Sequence, residues 1–349
     1  MNSIVAVLSI VLVALATRLR SNAGSVGAGL VTLTTLASTL STIVVAYTGL
    51  ETSLGAISRL TTFIDQTEQE VRANEKKAPD ETWPDRGCIE FHKVVAEYTI
   101  GTPVLRDFDL RISAKEKIAI CGRTGSGKSS VLALLLRLLE PTVGGSSPTD
   151  TEKSTSAIMV DGVSLSQVDQ TILRKRIIAE SQDATFLPSG TSFRDNLDPW
   201  KAASDAECTA VLAELDLLDL VSAKGGLTSA FVPGELSSGQ KQLLSFARAV
   251  LRRRVKLRAT AGRIEGGLLL LDEITSSTDA DTERVILRLL MGEFSAYTVL
   301  IVTHRRDMAM ACDRVVVLDA GKIVEVGRPA ELWERDQSRY RSLWSQQSS

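Results

Sequence analysis

The run Gly122-Arg123-Thr124-Gly125-Ser126-Gly127-Lys128-Ser129 constrains the fold of this chain more than any other stretch. It follows the apolar segment Ile118–Cys121, which reads as a buried strand, and opens onto Ser130–Leu139, rich in Leu, Val and Ala, which continues a helix begun at Lys128. A glycine-rich turn between a strand and a helix matches the Walker A pattern G-x-x-x-x-G-K-[ST] in the context that pattern requires. The glycines let the backbone curl until its N–H groups point inward around phosphate oxygens. The helix N-terminus adds partial positive charge at the same place. In such a cradle Lys128 would bridge the β- and γ-phosphates of a nucleotide and Ser129 would ligate Mg2+. Residues Gly122 to Ser129, with Ser130 beyond them, therefore form the expected nucleotide-contacting set. The plainer alternative is a Gly/Ser turn that merely starts a helix.

A second apolar strand, Gly267-Leu-Leu-Leu-Leu, ends in Asp272-Glu273. This is a Walker B arrangement. The strand delivers Asp272 to the metal, and Glu273, one residue on, can polarise the attacking water. Phosphoryl transfer needs chiefly positioning and charge neutralisation, which one metal carboxylate and one base supply. A third apolar run, Thr298–Thr303, leads to His304, whose neutral imidazole can hydrogen-bond a γ-phosphate and orient water. On its own, a histidine at a strand end is more often structural.

From Gly87 onward, strand-like segments (Ile89–Val95, Val104–Ile112, Lys117–Cys121, Ile158–Val160, Ile177–Ala179, Leu268–Leu271, Thr298–Val302) alternate with helical ones. That alternation predicts an α/β domain. Ala203–Leu217 is amphipathic and opens with the capping-box pattern Ser204-x-x-Glu207. Ser238–Arg253 is helical by its apolar face, and Gly144–Ser156 and Arg252–Gly266 read as surface loops. The basic residues Arg252 to Arg258 read as a solvated run past a helix end, although a phosphate-binding role is the alternative. The formal charge of −2 over 349 residues argues against a general polyanion binder. Four dispersed cysteines and two histidines offer neither a disulfide framework nor a zinc site.

The first 50 residues are of another kind. Arg18 and Arg20 are their only charged side chains. Ile4–Thr17 is nearly all apolar, and Ser21–Leu50 is uncharged, with Thr, Ser and Gly among Leu, Val and Ile. A spanning helix needs about 20 apolar residues, which the second stretch supplies and the first only marginally. Small and hydroxylated residues suit helix packing in lipid. Two spans are expected here, with a signal peptide or a buried hairpin as alternatives. The expected organisation is a partial transmembrane domain over 1–57, a linker over 58–86, a nucleotide-binding domain over 87–340 and a tail over 341–349.

Leu236-Ser237-Ser238-Gly239-Gln240 resembles the LSGGQ signature that separates ATP-binding cassette (ABC) ATPases from other P-loop proteins. Other motifs follow the order of that family. Gln182 resembles the Q-loop glutamine, which contacts Mg2+ or water and senses the membrane domain. Ser276-Ser277-Thr278-Asp279 resembles the D-loop, Thr303-His304 the H-loop switch, and Tyr98 the aromatic that stacks on adenine. Leu50–Arg59 with Phe63-Ile64, and Asp195–Pro199, are similar to the C subfamily, the multidrug-resistance-associated proteins. Glu273 points within it to the C-terminal nucleotide-binding domain.

The resemblance implies a P-loop ABC-type ATPase domain with a mixed sheet core, an antiparallel β subdomain and a helical subdomain, preceded by about two transmembrane helices. It implies ATP and Mg2+ as ligands, with Ser129, Gln182 and Asp272 at the metal and Lys128, Gln182, Glu273 and His304 in catalysis. It also implies that Ser237, Ser238 and Gly239 act on the nucleotide of a second such domain. Remaining transmembrane helices and a small organic anion or drug-like substrate, exported across a plasma or vacuolar membrane, complete the expectation, with the nucleotide-binding domain cytosolic and no nucleic acid involved. The sequence departs from the pattern at Ser238, where the signature has glycine, and in lacking most of a membrane domain, as a fragment, an incomplete gene model or one piece of a split assembly would. The rival readings are a nucleotide-sensing regulatory module and a soluble ABC ATPase acting on nucleic acid or protein.

Overall fold

The computed structural model describes residues 2–18, 23–67, 79–99, 101–142, 158–188, 190–262, 266–275 and 279–345. The chain divides into two compact units, Met1–Arg72 and Ala73–Ser349.

The first unit holds helices α1 (Asn2–Arg18) and α2 (Ala23–Gln66). Along α2, threonine and serine hydroxyls donate to carbonyls one turn back, as Thr32 to Ala28 at 2.8 Å, Thr39 to Thr35 at 2.8 Å and Thr48 to Val44 at 2.8 Å. Each hydroxyl so satisfied is tolerable in a medium without water. Gly24–Gln66 is long and apolar enough to cross a membrane, whereas the apolar part of α1, Ala6–Leu15, is shorter. At 1.5 Å per residue, α1 reaches roughly 26 Å against a hydrocarbon core of about 30 Å. By length, therefore, one helix rather than two qualifies among the described residues. The helix expected to end its membrane part at residue 57 runs unbroken to Gln66.

The second unit is built on two sheets. Strands β1 (Ile89–Thr99), β2 (Thr102–Ile112), β4 (Ile158–Val160) and β5 (Val163–Ser164) form an antiparallel sheet in the order β2-β1-β4-β5. Strands β3 (Lys117–Gly122), β6 (Ile178–Glu180), β7 (Gly267–Asp272), β8 (Tyr297–Val302), β9 (Arg314–Asp319) and β10 (Lys322–Gly327) form a six-stranded sheet in the order β10-β9-β3-β8-β7-β6. Its pairs are parallel except β9 with β10. Successive side chains of a strand face opposite sides, so each central strand feeds two cores. Ala119, Cys121, Leu269, Leu271, Val299 and Ile301 enter one. Ile118, Ile120, Leu268, Leu270, Leu300 and Val302 enter the other, with Phe91, Phe108 and the apolar face of α3.

The remaining helices are α3 (Lys128–Leu135), α4 (Gln170–Arg176), α5 (Phe193–Leu197), α6 (Asp205–Glu214), α7 (Leu218–Ala223), α8 (Ser238–Ala259), α9 (Ala280–Glu293), α10 (Arg306–Met310), α11 (Pro329–Glu334) and α12 (Arg339–Ser345). The capping box expected at Ser204 and Glu207 opens α6. The first core packs α5, α6 and α8 together through Phe193, Leu197, Val211, Leu212, Phe246 and Val250.

Three boundaries differ from the sequence reading, each for a physical reason. Helix α3 stops at Leu135 rather than Leu139, because Arg137 turns left-handed (φ 51°) and the N–H groups of Leu138 and Leu139 both return to Ala133 O. Arg252–Ala259 is not loop but the last two turns of α8. Arg252 and Lys256 donate to backbone carbonyls, and the other three cations are held by carboxylates from elsewhere in the chain. Arg253 and Arg254 reach Glu293 at 2.5 and 2.7 Å, Arg254 reaches Glu214 at 2.6 Å, and Arg258 reaches Glu207 at 2.5 Å. Residues 341–345, read as tail, belong to α12, whose Tyr340 and Trp344 are buried in the first core. The loop read at Gly144–Ser156 lies outside the described residues.

The segment before β1 is fastened to the antiparallel sheet. Asp161 accepts from the backbone N–H groups of Asp85, Arg86, Gly87 and Cys88 at 2.7–3.1 Å. The Trp83 indole donates to Val160 O at 2.9 Å, and Arg176 donates to the carbonyls of Asp80 and Trp83.

Candidate nucleotide site

The Gly122–Ser129 loop leaves the C-terminal end of β3, between its parallel neighbours β8 and β9. In parallel sheets ligands gather at the carboxyl ends of the strands. Here the ends of β3, β7 and β8 meet. The Thr303 N–H donates to Ile120 O at 3.3 Å and the Glu273 N–H to Val302 O at 2.9 Å, so the residues that follow these strands are fixed relative to the loop.

The loop itself is backed by protein. Gly127, the N-cap of α3, has φ 99°, and a Cβ there would lie 2.8 Å from Val104 O. Glycine is required on both counts. Ser126 O accepts from the Gly321 N–H at 3.1 Å, which ties the loop to the turn between β9 and β10. Lys128 curls over the loop and donates to Gly122 O and Arg123 O, each at 3.1 Å. Burial lowers its pKa, while Glu273, Cys121 and Asp272 pull the other way. An ammonium desolvated to this degree gains most from an anionic partner.

Ser129 donates to Asp272 Oδ1 at 3.2 Å. Burial raises the pKa of Asp272; the Ser129 hydrogen bond, Lys128 and His304 oppose this, and Glu273 reinforces it. His304 Nε2 stands 3.1 Å from Glu273 Oε1. Glu273 takes the left-handed backbone region, φ 49°, unusual for a residue with a side chain. Tyr98 is exposed, with its hydroxyl 3.4 Å from Ser130 Oγ.

One cavity of about 620 Å³ collects these groups: Tyr98, Thr124, Gly125, Gly127, Lys128, Ser129, Ser130, Gln182, Glu273 and His304 line it, with Val104. Asp272 joins through Ser129. Ser126 Oγ, beside Gly122, is buried without a hydrogen-bond partner and does not line the cavity. A carboxylate paired with a serine hydroxyl beside the loop lysine is the oxygen donor set that suits Mg2+. Gly122 and Arg123 line a second, adjoining cavity.

The remaining residues singled out in the sequence lie apart from this cavity. Ser237, Ser238, Gly239 and Gln240 open α8. Ser237 Oγ accepts from the Gln240 N–H at 3.2 Å, and Gln240 Oε1 accepts from the Ser237 N–H at 3.0 Å, a reciprocal capping box. Asp279 begins α9, and hydrogen bonding from Thr282 holds its carboxyl low. Ser276, Ser277 and Thr278 lie outside the described residues. Val104 was missed from the sequence. It reads as one apolar strand residue among several, and only the register of the β1–β2 hairpin brings it to the cavity wall.

A phosphate loop at the centre of a mixed six-stranded sheet, an antiparallel sheet on one side and a helical part headed by Ser237–Gln240 define a P-loop ATPase domain of the ABC type. Residues 105–258 match the family model described as ABC transporter. The chain is 44% identical to the ABC-type transporter braE of Annulohypoxylon truncatum and 41% identical to the ABC transporter FGM5 of Gibberella zeae. Each match takes in 99% of this chain and 24% of the relative, so the chain spans about a quarter of the length of these fungal transporters. The structure of a bacterial Atm1-family ABC exporter with ATP bound is similar in fold, with a TM-score of 0.69 and 24% identity over 94% of this chain and 53% of that one.

Proposed function

We propose that this chain binds and hydrolyses ATP as the second, C-terminal nucleotide-binding domain of a C-subfamily ABC exporter. The observation that carries the reading is the meeting of Lys128, Glu273 and His304 in one cavity, with Asp272 bonded to Ser129 at its edge. Lys128 binds the β- and γ-phosphates, and the backbone N–H groups of residues 122–130 surround them. Tyr98 stacks on the base. Ser129, Asp272 and Gln182 hold Mg2+, which supplies charge neutralisation for the phosphates. Glu273 accepts the proton of the attacking water, and His304 donates its Nε2–H to the γ-phosphate when nucleotide is bound, in place of the Glu273 carboxylate that stands 3.1 Å away without it.

Ser237, Ser238, Gly239 and Gln240 do not line the cavity of their own domain. That supports a composite site in which they, with Asp279, serve the nucleotide of a second nucleotide-binding domain. Gly24–Gln66 supplies one membrane crossing, and partners supply further transmembrane helices. The transported substrate is a small organic anion or drug-like molecule, the membrane is plasma or vacuolar, and the nucleotide site faces the cytosol.

The test is the full chain reconstituted in lipid nanodiscs at concentrations that permit self-pairing. Wild type should bind a fluorescent ATP analogue and release phosphate. Lys128→Ala should weaken binding at least about tenfold, the scale of one lost charge-assisted contact of 1.5–3 kcal/mol. Unaltered affinity in that variant would remove Lys128 from the phosphate site.

A further inference from the structure

Gln182 reaches the nucleotide cavity from the shortest strand of its sheet. Strand β6 spans 3 residues at the end of the six-stranded order and pairs with β7, where Glu180 lies opposite Leu271. So short a ladder, on one side only, holds a following loop weakly. The rest of the hold comes from α8, through side chains that the nucleotide chemistry does not use. Ser245, buried on α8, donates its hydroxyl to Glu180 Oε2. One turn further along, Arg248 donates to Thr185 O at 2.6 Å and to Ser245 Oγ at 3.4 Å, and its guanidinium lies 5.1 Å above the Phe186 ring. Between these anchors the loop closes on itself: the Ser181 hydroxyl donates to Asp183 O at 2.8 Å and so brackets Gln182. Residues 181–184 thus hang between two points fastened to one helix, and Gln182 is the one of them that lines the cavity.

Glu180 is a carboxylate placed where its charge is disfavoured. Burial raises its pKa; the Ser245 hydrogen bond, then Arg248 and Arg252, oppose the rise. A hydrogen bond to a carboxylate withdrawn from water is directional and strong, and leaving that carboxylate unpaired is costly. Apolar packing, by contrast, has no direction. The Glu180–Ser245 bond therefore sets the spacing of β6 and α8 more tightly than the leucines and valines around it.

We infer that Glu180 and Ser245 are positioning residues for Gln182: their bond, with that of Arg248 to Thr185 O, holds both ends of the loop against α8 and fixes where the glutamine meets magnesium-bound nucleotide. This inference rests on the proposed reading of the site, in which Gln182 is a metal ligand. Neither Glu180 nor Ser245 lines the nucleotide cavity; both act through the loop.

The experiment measures metal-dependent binding in the full chain reconstituted in lipid nanodiscs. A fluorescent ATP analogue is titrated in EDTA and across a range of Mg2+ concentrations, with phosphate release followed alongside. Groups that orient a metal ligand are worth about tenfold or more in metal affinity. Ser245→Ala should therefore raise the Mg2+ concentration at half-maximal binding about tenfold and leave affinity in EDTA within about twofold. Glu180→Leu, which removes the acceptor without stranding a charge, should do the same, and it decides the matter if Ser245→Ala fails to fold. Glu180→Gln keeps an acceptor for the hydroxyl and should recover most of the loss. In a Gln182→Ala background, Ser245→Ala should change the Mg2+ requirement by less than about twofold further, because the group it acts through is gone. A lower Tm with an unchanged Mg2+ requirement, a loss of affinity equal with and without Mg2+, or effects that multiply in full with that of Gln182→Ala would overturn the inference. A Mg2+ requirement untouched by Gln182→Ala itself would instead strike the metal role proposed for that residue, and the inference with it.

Discussion

Glu273→Gln is the perturbation that bears most directly on the proposed chemistry. Glutamine has the shape of glutamate, and its amide oxygen can still accept from the imidazole that stands 3.1 Å from Glu273 Oε1. The backbone bond from the Glu273 N–H to Val302 O does not depend on the side chain. The fold should therefore be nearly untouched, with Tm moving by less than about 2 °C, which corresponds to under 1 kcal/mol in a domain of this size. What is lost is the proton acceptor. A positioned general base contributes about 10²–10⁴ in rate, or about 2.7–5.5 kcal/mol at 1.36 kcal/mol per decade. Binding should move the other way. A like charge about 6 Å from a phosphate oxygen opposes it by about 2–3 kcal/mol at an effective dielectric of about 20, before screening. Without that charge, affinity for ATP should hold or tighten, by up to about tenfold. Phosphate release under saturating Mg·ATP reads the first effect, and equilibrium titration with a fluorescent ATP analogue reads the second. Turnover within about threefold of wild type would refute the assignment of the base. So would a loss of ATP affinity large enough to explain the slower turnover.

Two further predictions concern stability. Asp161 holds four backbone N–H groups and occupies a left-handed backbone (φ 50°), so Asp161→Ala should cost about 2–3 kcal/mol and lower Tm by about 5–10 °C, with Asp161→Asn markedly milder; equal melting of all three proteins would show that the staple carries no weight. Lys256 is pushed down to about 8 by burial, with Arg176 and Arg252 adding to the shift and Asp161 and Asp85 opposing it. Between about 8 and the ordinary lysine value the unfolded chain binds more protons, so stability rises with pH across that window and the penalty is full below it. Lys256→Met should therefore melt higher than wild type at pH 7, by roughly 2–6 °C, with the gap closing toward pH 10; a gap independent of pH would contradict the burial argument.

The parts of the site that were legible in the sequence are those whose geometry is local. Gly122–Ser129 specifies its own turn, because its glycines, lysine and serine act within one loop between a strand and a helix. Asp272 and Glu273 were legible because an apolar strand must end where its acids begin. The fold class followed from alternation, since central parallel strands are apolar on both faces. What escaped depends on partners distant in the chain. Arg252–Ala259 looks like a loop until Glu207, Glu214 and Glu293 are brought to it, and only then is a basic helix end stable. Likewise, nothing near Tyr340 and Trp344 announces that they enter the core, because the surfaces that receive them come from β3, β10 and α11.

The left-handed backbone at Glu273 has a consequence for how such a domain can change over time. On a straight strand two consecutive acids would be parted by the sheet, one to each face. The kink is what lets both serve the same compartment. It also narrows the substitutions the position can accept. Branched aliphatic residues are strained there, whereas Asp, Asn, Gln or Gly can follow the same path of the chain. Asn, Gln or Gly there would remove the proposed base while leaving the architecture standing. On the proposed roles, one substitution at this position would end turnover and leave nucleotide capture in place, turning an engine into a receptor without rebuilding anything else.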